Sequence, residues 1–297
     1  MSPEGESSPK KNIALPIVAV LLVAALSFVI FRFNSITEYI SNPSFGKKEA
    51  DTTIVENINA DTLAPLKYKK TIYLTFDDGP NAGSRIISNI LNEEQIKSTL
   101  FIIGLHVYYD EINYSTYNTI KQNKWIELAN HSYTHAFKNR FDYFYQQTDS
   151  AVKDFKKCED SLHFPTNIAR TPGRNIWRLD SLTFSDNRNS NRTADSLHNA
   201  GFTMMGWDVE WHYNRRRRLI ETDSTILRQI ENLFVTPGHT RTADHVVLLA
   251  HDATFTTTED STQLHRLIKN LKAKNEYNFE FVSRYPRSKL EKGIKGK

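Results

Sequence analysis

The chain has 297 residues, 39% of them hydrophobic and 24% charged, which excludes a disordered or fibrous polymer and leaves apolar material for one large domain or two small ones. A net charge of +4 is too weak to imply nucleic acid as a partner. The single cysteine, Cys158, excludes an intrachain disulfide framework and any multi-cysteine zinc site; in its helix-like surroundings it reads as a packed thiol.

In chain order, residues 1–12 are polar and read as a short cytoplasmic tail. Residues 13–31 form a run of 19 positions without charge, which at about 1.5 Å per residue matches a bilayer core of about 30 Å. The run is longer than the roughly 7–15-residue core of a signal peptide, and no small-x-small cleavage site or lipidation cysteine follows it. Residues 13–33 are therefore expected to be an uncleaved single-pass membrane anchor. Lys10 and Lys11 before the run are nearly balanced by Arg32, Lys47 and Lys48 after it, so the flanking charges orient it weakly. The expectation that the main domain faces the periplasm or cell surface rests partly on the chemistry below. Residues 34–66 read as a stalk, 67–286 as the globular domain and 287–297 as a loose charged tail.

Within the domain, short apolar runs alternate with longer helical patterns. Strands are expected at 71–76, 99–103, 125–129, 167–170, 202–207, 246–250 and 279–282. Helices are expected at 82–95, 114–122, 142–162, 192–199, 223–233 and 262–271. This alternation predicts an α/β fold with a parallel sheet and external helices. About seven parallel strands suggest a distorted, incomplete (β/α) barrel, whose functional groups belong at the C-terminal strand ends. Asp77, Asp78, His131, Arg170, Asp208, His251 and Asp252 all follow expected strands and could meet on one rim.

Thr75-Phe76-Asp77-Asp78-Gly79-Pro80 closes a strand with two adjacent carboxylates, which repel unless a cation lies beside them; an inert Asp-rich turn is the alternative. In His131-Ser132-Tyr133-Thr134-His135 two histidines four apart would share one face of a helical turn and could share a metal. Two imidazoles and a carboxylate leave open positions, the pattern of a catalytic rather than a structural site. Leu248-Leu249-Ala250-His251-Asp252 ends an apolar strand in a histidine, a side-chain type suited to proton transfer near neutral pH. Arg170-Thr171-Pro172-Gly173 places an arginine before a rigid turn, and Gly206-Trp207-Asp208-Val209-Glu210-Trp211 follows a further strand. The remaining histidines, His106 among them, fit no motif and read as structural or exposed.

Taken together these residues resemble the polysaccharide deacetylases, carbohydrate esterase family 4 with the NodB homology domain. The resemblance runs over about residues 67–286, through TFDDGP at 75–80, HSYTH at 131–135 and LLAHD at 248–252. It implies that Asp78, His131 and His135 hold one divalent cation, zinc before cobalt, nickel or manganese. It further implies Asp77 as general base, His251 as general acid, Arg170 as the residue that positions the base and Asp208 as the carboxylate that orients His251. Gly173, Trp207, Trp211 and Leu249 are expected on the substrate side.

Two motifs depart from the family pattern. An aromatic residue usually follows the proline where Gly173 stands here, and Asp208 and Trp211 are one residue closer together than usual. The implied activity is removal of N-acetyl groups from an acetylated amino-sugar polysaccharide of the cell envelope. O-deacetylation and a membrane-tethered glycan-binding protein with a relict site are the alternatives. The run Arg215 to Arg218 reads either as a clamp for an anionic glycan or lipid head group or as a solvated loop.

Overall fold

The computed structural model describes residues 66–286. The tail, anchor and stalk expected before residue 66, and the tail expected after 286, lie outside the described residues. Among the described residues no helix is long and apolar enough to cross a membrane.

Alternation along the first strand sets the layers. In β1 (Lys70–Gly79) Ile72, Leu74 and Phe76 join the core that packs on the helices, whereas Tyr73 faces the inner side of the sheet. The inward positions that follow Tyr73 at the same period are Thr75 and Asp77, so the inner face turns polar towards the strand's C-terminal end. The same happens in β9 (His245–His251), where Val246, Leu248 and Ala250 face the helices while Val247, Leu249 and His251 lie on the other side. Register locks the two together: Thr75 stands opposite Leu249 and Asp77 opposite His251.

The other strands are β2 (Ser98–Ile102), β3 (Ile126–Asn130), β4 (Ile168–Ala169), β5 (Ile176–Leu179), β6 (Leu182–Ser185), β7 (Thr203–Met204), β8 (Val209–Glu210) and β10 (Tyr277–Phe279). Their order is β6-β5-β7-β4-β3-β2-β1-β9-β8, with β10 also paired to β1. The pairings are parallel apart from those of β5 with β6 and with β7. The sheet is open but curled: Tyr285 touches Tyr73 of the central strand at 5.2 Å and Trp177 of β5 at 5.3 Å between ring centroids.

Each of the seven expected strands has a counterpart, the last shifted to 277–279. The sequence reading missed the β5–β6 hairpin and β8, each of four residues or fewer. The longer helices are α1 (Ala82–Glu94), α2 (Glu111–Lys121), α3 (Thr148–Leu162), α4 (Asn191–Asn199), α5 (Asp223–Val235) and α6 (Thr258–Ala273). Asn81, Asp110, Thr222 and Thr257 cap α1, α2, α5 and α6 by accepting from backbone N–H groups of the first turn. The single helix expected over 142–162 is broken at Gln147 (φ −98°, ψ 62°) into Phe141–Gln146 and α3. Cys158 lies fully buried on α3 against the Ile102 carbonyl, and burial pushes its thiol up, as a packed thiol requires.

Candidate metal centre and catalytic cavity

Two consecutive strand residues ordinarily point to opposite faces. Asp77 and Asp78 escape this because the β1–β2 register shifts between Asp77 and Gly79 and Asp78 takes φ 77°. The bulge swings Asp78 onto the rim where Asp77 already points. The following turn is anchored from β9's end. The Asp252 carboxylate accepts from Asn81 Nδ2 at 2.7 Å and from the Ser84 hydroxyl, and burial raises its pKa to about 7 against those bonds. Gly83 allows this approach, since a Cβ there would stand 1.7 Å from the Asp252 carbonyl oxygen. Asp252 thus ties the first motif to the last.

The two histidines do meet, but not on an α-helical turn. His131 follows β3 directly, and His135 opens a left-handed turn in which residues 135–139 all have φ between 52° and 67°. Left-handed backbone costs about 1–2 kcal/mol per ordinary residue, so side chains must hold it. Asn130 Oδ1 accepts from Ser132 N–H at 2.9 Å, Ser132 Oγ from His135 N–H at 3.0 Å, and Asp154 from both the amide and hydroxyl of Thr134 at 3.1 Å.

That turn aims both imidazoles at one oxygen. His131 Nε2 lies 3.4 Å and His135 Nε2 3.1 Å from Asp78 Oδ1. The His131 Nδ1 donates to the Arg170 carbonyl at 2.9 Å and the His135 Nδ1 bonds the Asn139 side-chain oxygen, which fixes both Nε2 lone pairs towards Asp78. Asp78 Oδ1 is buried and makes no well-angled hydrogen bond among the described residues. Burial alone would raise the Asp78 pKa; the two imidazoles outweigh it and hold the carboxyl well below the usual range. An orphaned buried carboxylate oxygen facing two oriented imidazole lone pairs, all within 4.8 Å, fits a divalent cation.

Asp77 lies beside this group, its Oδ2 3.7 Å from His131 Nε2. Arg170 is fully buried, and its Nη1 donates to Asp77 Oδ1 at 2.9 Å and to Thr75 Oγ1 at 2.7 Å. Its Nε and Nη2 donate to the carbonyls of Met205 and Gly206, and its plane lies 4.1 Å from the Phe101 ring centroid. Every edge of the guanidinium is engaged, so the Asp77 carboxylate has one settled orientation.

A cavity of about 210 Å³ opens over these groups, with Asp77, Asp78, His131, His135, Gly173, Trp207, Leu249 and His251 around it. Gly173 adopts φ 63°, and a Cβ there would meet the Phe141 ring at 2.9 Å. Phe141 occupies this wall where the sequence lacks an aromatic after Pro172, and its ring stands edge-on to His135 at 5.7 Å. Phe141, Glu210 and Tyr213 complete the lining and were not anticipated from sequence. For Glu210 a signal was available in its place two residues past Asp208, within the motif from Gly206 to Trp211; the structure pairs it with Leu249.

Two expected roles are corrected. Trp211 is fully buried, edge-on to Phe255 at 5.9 Å, and its indole N–H donates to the Glu221 carbonyl; it belongs to the core, not the cavity wall. Asp208 does not bond His251. Its two oxygens accept from the backbone N–H groups of Arg241 and Val247, each at 2.9 Å, and burial raises its pKa to about 6. His251 Nδ1 is buried without a partner among the described residues, and its ring faces Tyr213 at 4.9 Å. Asp208→Asn is accordingly expected to spare turnover within about tenfold, while placing an amide NH₂ against a backbone N–H and removing about 1–3 kcal/mol of stability. Thermal melts and kcat measured side by side check this; an unchanged melt with collapsed kcat would return Asp208 to the catalytic group.

The polysaccharide deacetylase family matches residues 66–176. Those residues belong to the polysaccharide deacetylase family. By family, the enzyme is a hydrolase that removes acetyl groups from polysaccharide. A protein named as a putative polysaccharide deacetylase from Bacillus subtilis is 29% identical over 93% of this chain and 94% of its own length. A peptidoglycan-N-acetylglucosamine deacetylase from Bacillus cereus is 23% identical over 89% of this chain and 90% of its own. Among solved structures, a mutant of a family 4 carbohydrate esterase pseudoenzyme from Bacillus anthracis, with restored enzymatic activity, shares the fold at a TM-score of 0.50. It is 19% identical over 72% of this chain and 66% of that one. The fold alone therefore does not decide whether a deacetylase scaffold is active.

Proposed function

We propose that this deacetylase hydrolyses N-acetyl groups on an amino-sugar polymer of the cell envelope, using a divalent cation held by Asp78, His131 and His135, with zinc the first candidate. The carrying observation is the buried Asp78 Oδ1 set between two oriented imidazole nitrogens at 3.1 and 3.4 Å. Retention of that group and of His251 favours an active enzyme over a relict binding protein. The uncharged run within 13–33 supports a tether with the catalytic domain outside the cytoplasm, where such polymers lie.

A cation bound there would supply Lewis acidity towards the acetyl carbonyl and make water easier to deprotonate. Asp77, held by Arg170, takes the proton of the attacking water. The Gly173 N–H, which meets no acceptor among the described residues, is placed to donate to the developing oxyanion. Phe141, Trp207 and Leu249 wall the acetyl methyl group from solvent. His251, opposite Asp77 across the β1–β9 register, hands a proton to the departing sugar nitrogen.

The test is acetate release from N-acetylated and O-acetylated oligosaccharides by the purified chain, before and after chelation and with metal restored. Release from the N-acetylated substrate that stops on chelation and returns with metal is expected. Chelator-resistant release would remove the cation from the reading, and release from the O-acetylated substrate alone would favour an esterase.

A further inference from the structure

Beside the inner cavity runs a wider groove of about 750 Å³, joined to it through Asp78, His135, Phe141 and Tyr213. That volume lies in the range of whole ligand sites, far more than an acetyl group needs. Two exposed cations line it, Lys138 and Arg217. Lys138 comes from the left-handed turn after β3 and Arg217 from the turn after β8. In the sheet order, β3 lies two strands to one side of β1 and β8 two strands to the other. The two charges therefore flank Asp78 from opposite walls.

Several arginines near this end of the sheet are neutralised, whereas Arg140, Arg215 and Arg216, which lie outside the groove lining, have no ion pair among the described residues. Arg174 meets Asp142, Arg178 meets Asp195, and Arg218 bonds Glu259 and Asp260. Arg218, next to Arg217 in the run of four, is thus a strut onto α6. Lys138 and Arg217 have no carboxylate within ion-pair distance among the described residues. The acid facing the groove is Asp78, already committed to the two imidazoles. Exposed Tyr109 and the amides of Asn81, Asn113 and Asn139 complete a surface that can stack on and hydrogen-bond sugars.

We infer that the groove selects an anionic glycan, with Lys138 and Arg217 each taking a carboxylate or phosphate on sugars to either side of the residue that enters the cavity. The inference rests on the deacetylase reading above and names its substrate class. Two unpartnered cations on opposite walls suit a polymer that repeats its charge and crosses the site, rather than a small anion that one wall could hold. Arg can engage such a group through two N–H donors and Lys as a point charge, and both contacts, being exposed, are screened by salt.

The test uses the full chain and two acetylated oligosaccharides of equal length, one neutral and one carrying a carboxylate on alternate sugars. The wild type should show a higher kcat/KM on the carboxylated substrate by about tenfold at low ionic strength, and the preference should shrink as salt rises. Lys138→Gln with Arg217→Gln should raise KM on the carboxylated substrate about tenfold more than on the neutral one, with kcat moving little. Arg216→Gln removes a positive charge outside the groove and should not alter the preference. A double variant that affects both substrates equally, or a preference that Arg216→Gln erases as well, would overturn the inference. Calorimetric binding of the carboxylated oligosaccharide separates the two readings. If no substrate releases acetate, the deacetylase reading fails, while salt-sensitive binding lost in the double variant still supports the groove and binding that the double variant retains overturns it.

Discussion

Asp78→Asn is expected to bring bound divalent metal from about one per chain to near none and to lower acetate release by about a thousandfold or more. Asn is chosen over Ala because residue 78 sits at φ 77°, a backbone conformation that Asn tolerates and Ala resists. The substitution keeps the volume of the side chain and removes its charge. With that carboxylate gone, His131 and His135 would be left as a two-imidazole site, one ligand short of the three protein ligands of a catalytic centre. The fold should survive, because the turn behind Asp78 is held by Asp252 through Asn81 and Ser84 rather than by Asp78 itself. Metal analysis of the purified variant beside its thermal melt decides the matter. A folded variant that still carries a full equivalent of metal would move the cation away from this triad.

How far the site can be read from sequence depends on how locally each residue is placed. Asp77, Asp78, His131 and His251 each end a strand whose apolar run is visible in a handful of residues, Arg170 follows the two-residue β4, and the structure gathers all five at one end of the sheet. Asp208 also ends a recognisable segment, yet its partners, the Arg241 and Val247 amides, lie 33 and 39 residues away. No local pattern could announce that its carboxylate is consumed by backbone. Trp211 follows the two-residue strand β8, too short to show alternation, so the sequence could not tell core from cavity. Phe141 lies just ahead of the helix expected over 142–162, where no motif marks a cavity residue, and the break at Gln147 has no proline or glycine to announce it. The left-handed turn after His131 was likewise invisible, since part of its support comes from Asp154 on α3, twenty residues away. The parallel framework was legible because its period-two alternation is strong; the antiparallel β5–β6 hairpin was not, because β6 is largely half-exposed and carries little pattern.

His251→Ala should lower kcat for an N-acetyl substrate by about a hundredfold to ten-thousandfold, the range that a positioned proton donor contributes, and should cost far less on an O-acetyl substrate. The difference follows from the leaving groups. Cleaving an amide expels nitrogen, which departs only once protonated, whereas an ester expels a sugar alkoxide that can leave with less help. The role proposed for His251 is supported by its place: it stands opposite Asp77 in the β1–β9 register and lines the same cavity. One group can therefore accept a proton from water on one side while the other gives one up across the acetyl group. Because Asp208 is bound to backbone amides, no described carboxylate fixes the His251 ring, which is in edge-on contact with Tyr213 at 4.9 Å. Tyr213→Ala should then show a weaker version of the same bias towards ester over amide. Measuring kcat on matched N-acetyl and O-acetyl oligosaccharides for both variants checks the assignment. Equal losses on the two substrates would mean that His251 shapes the cavity rather than delivering the proton.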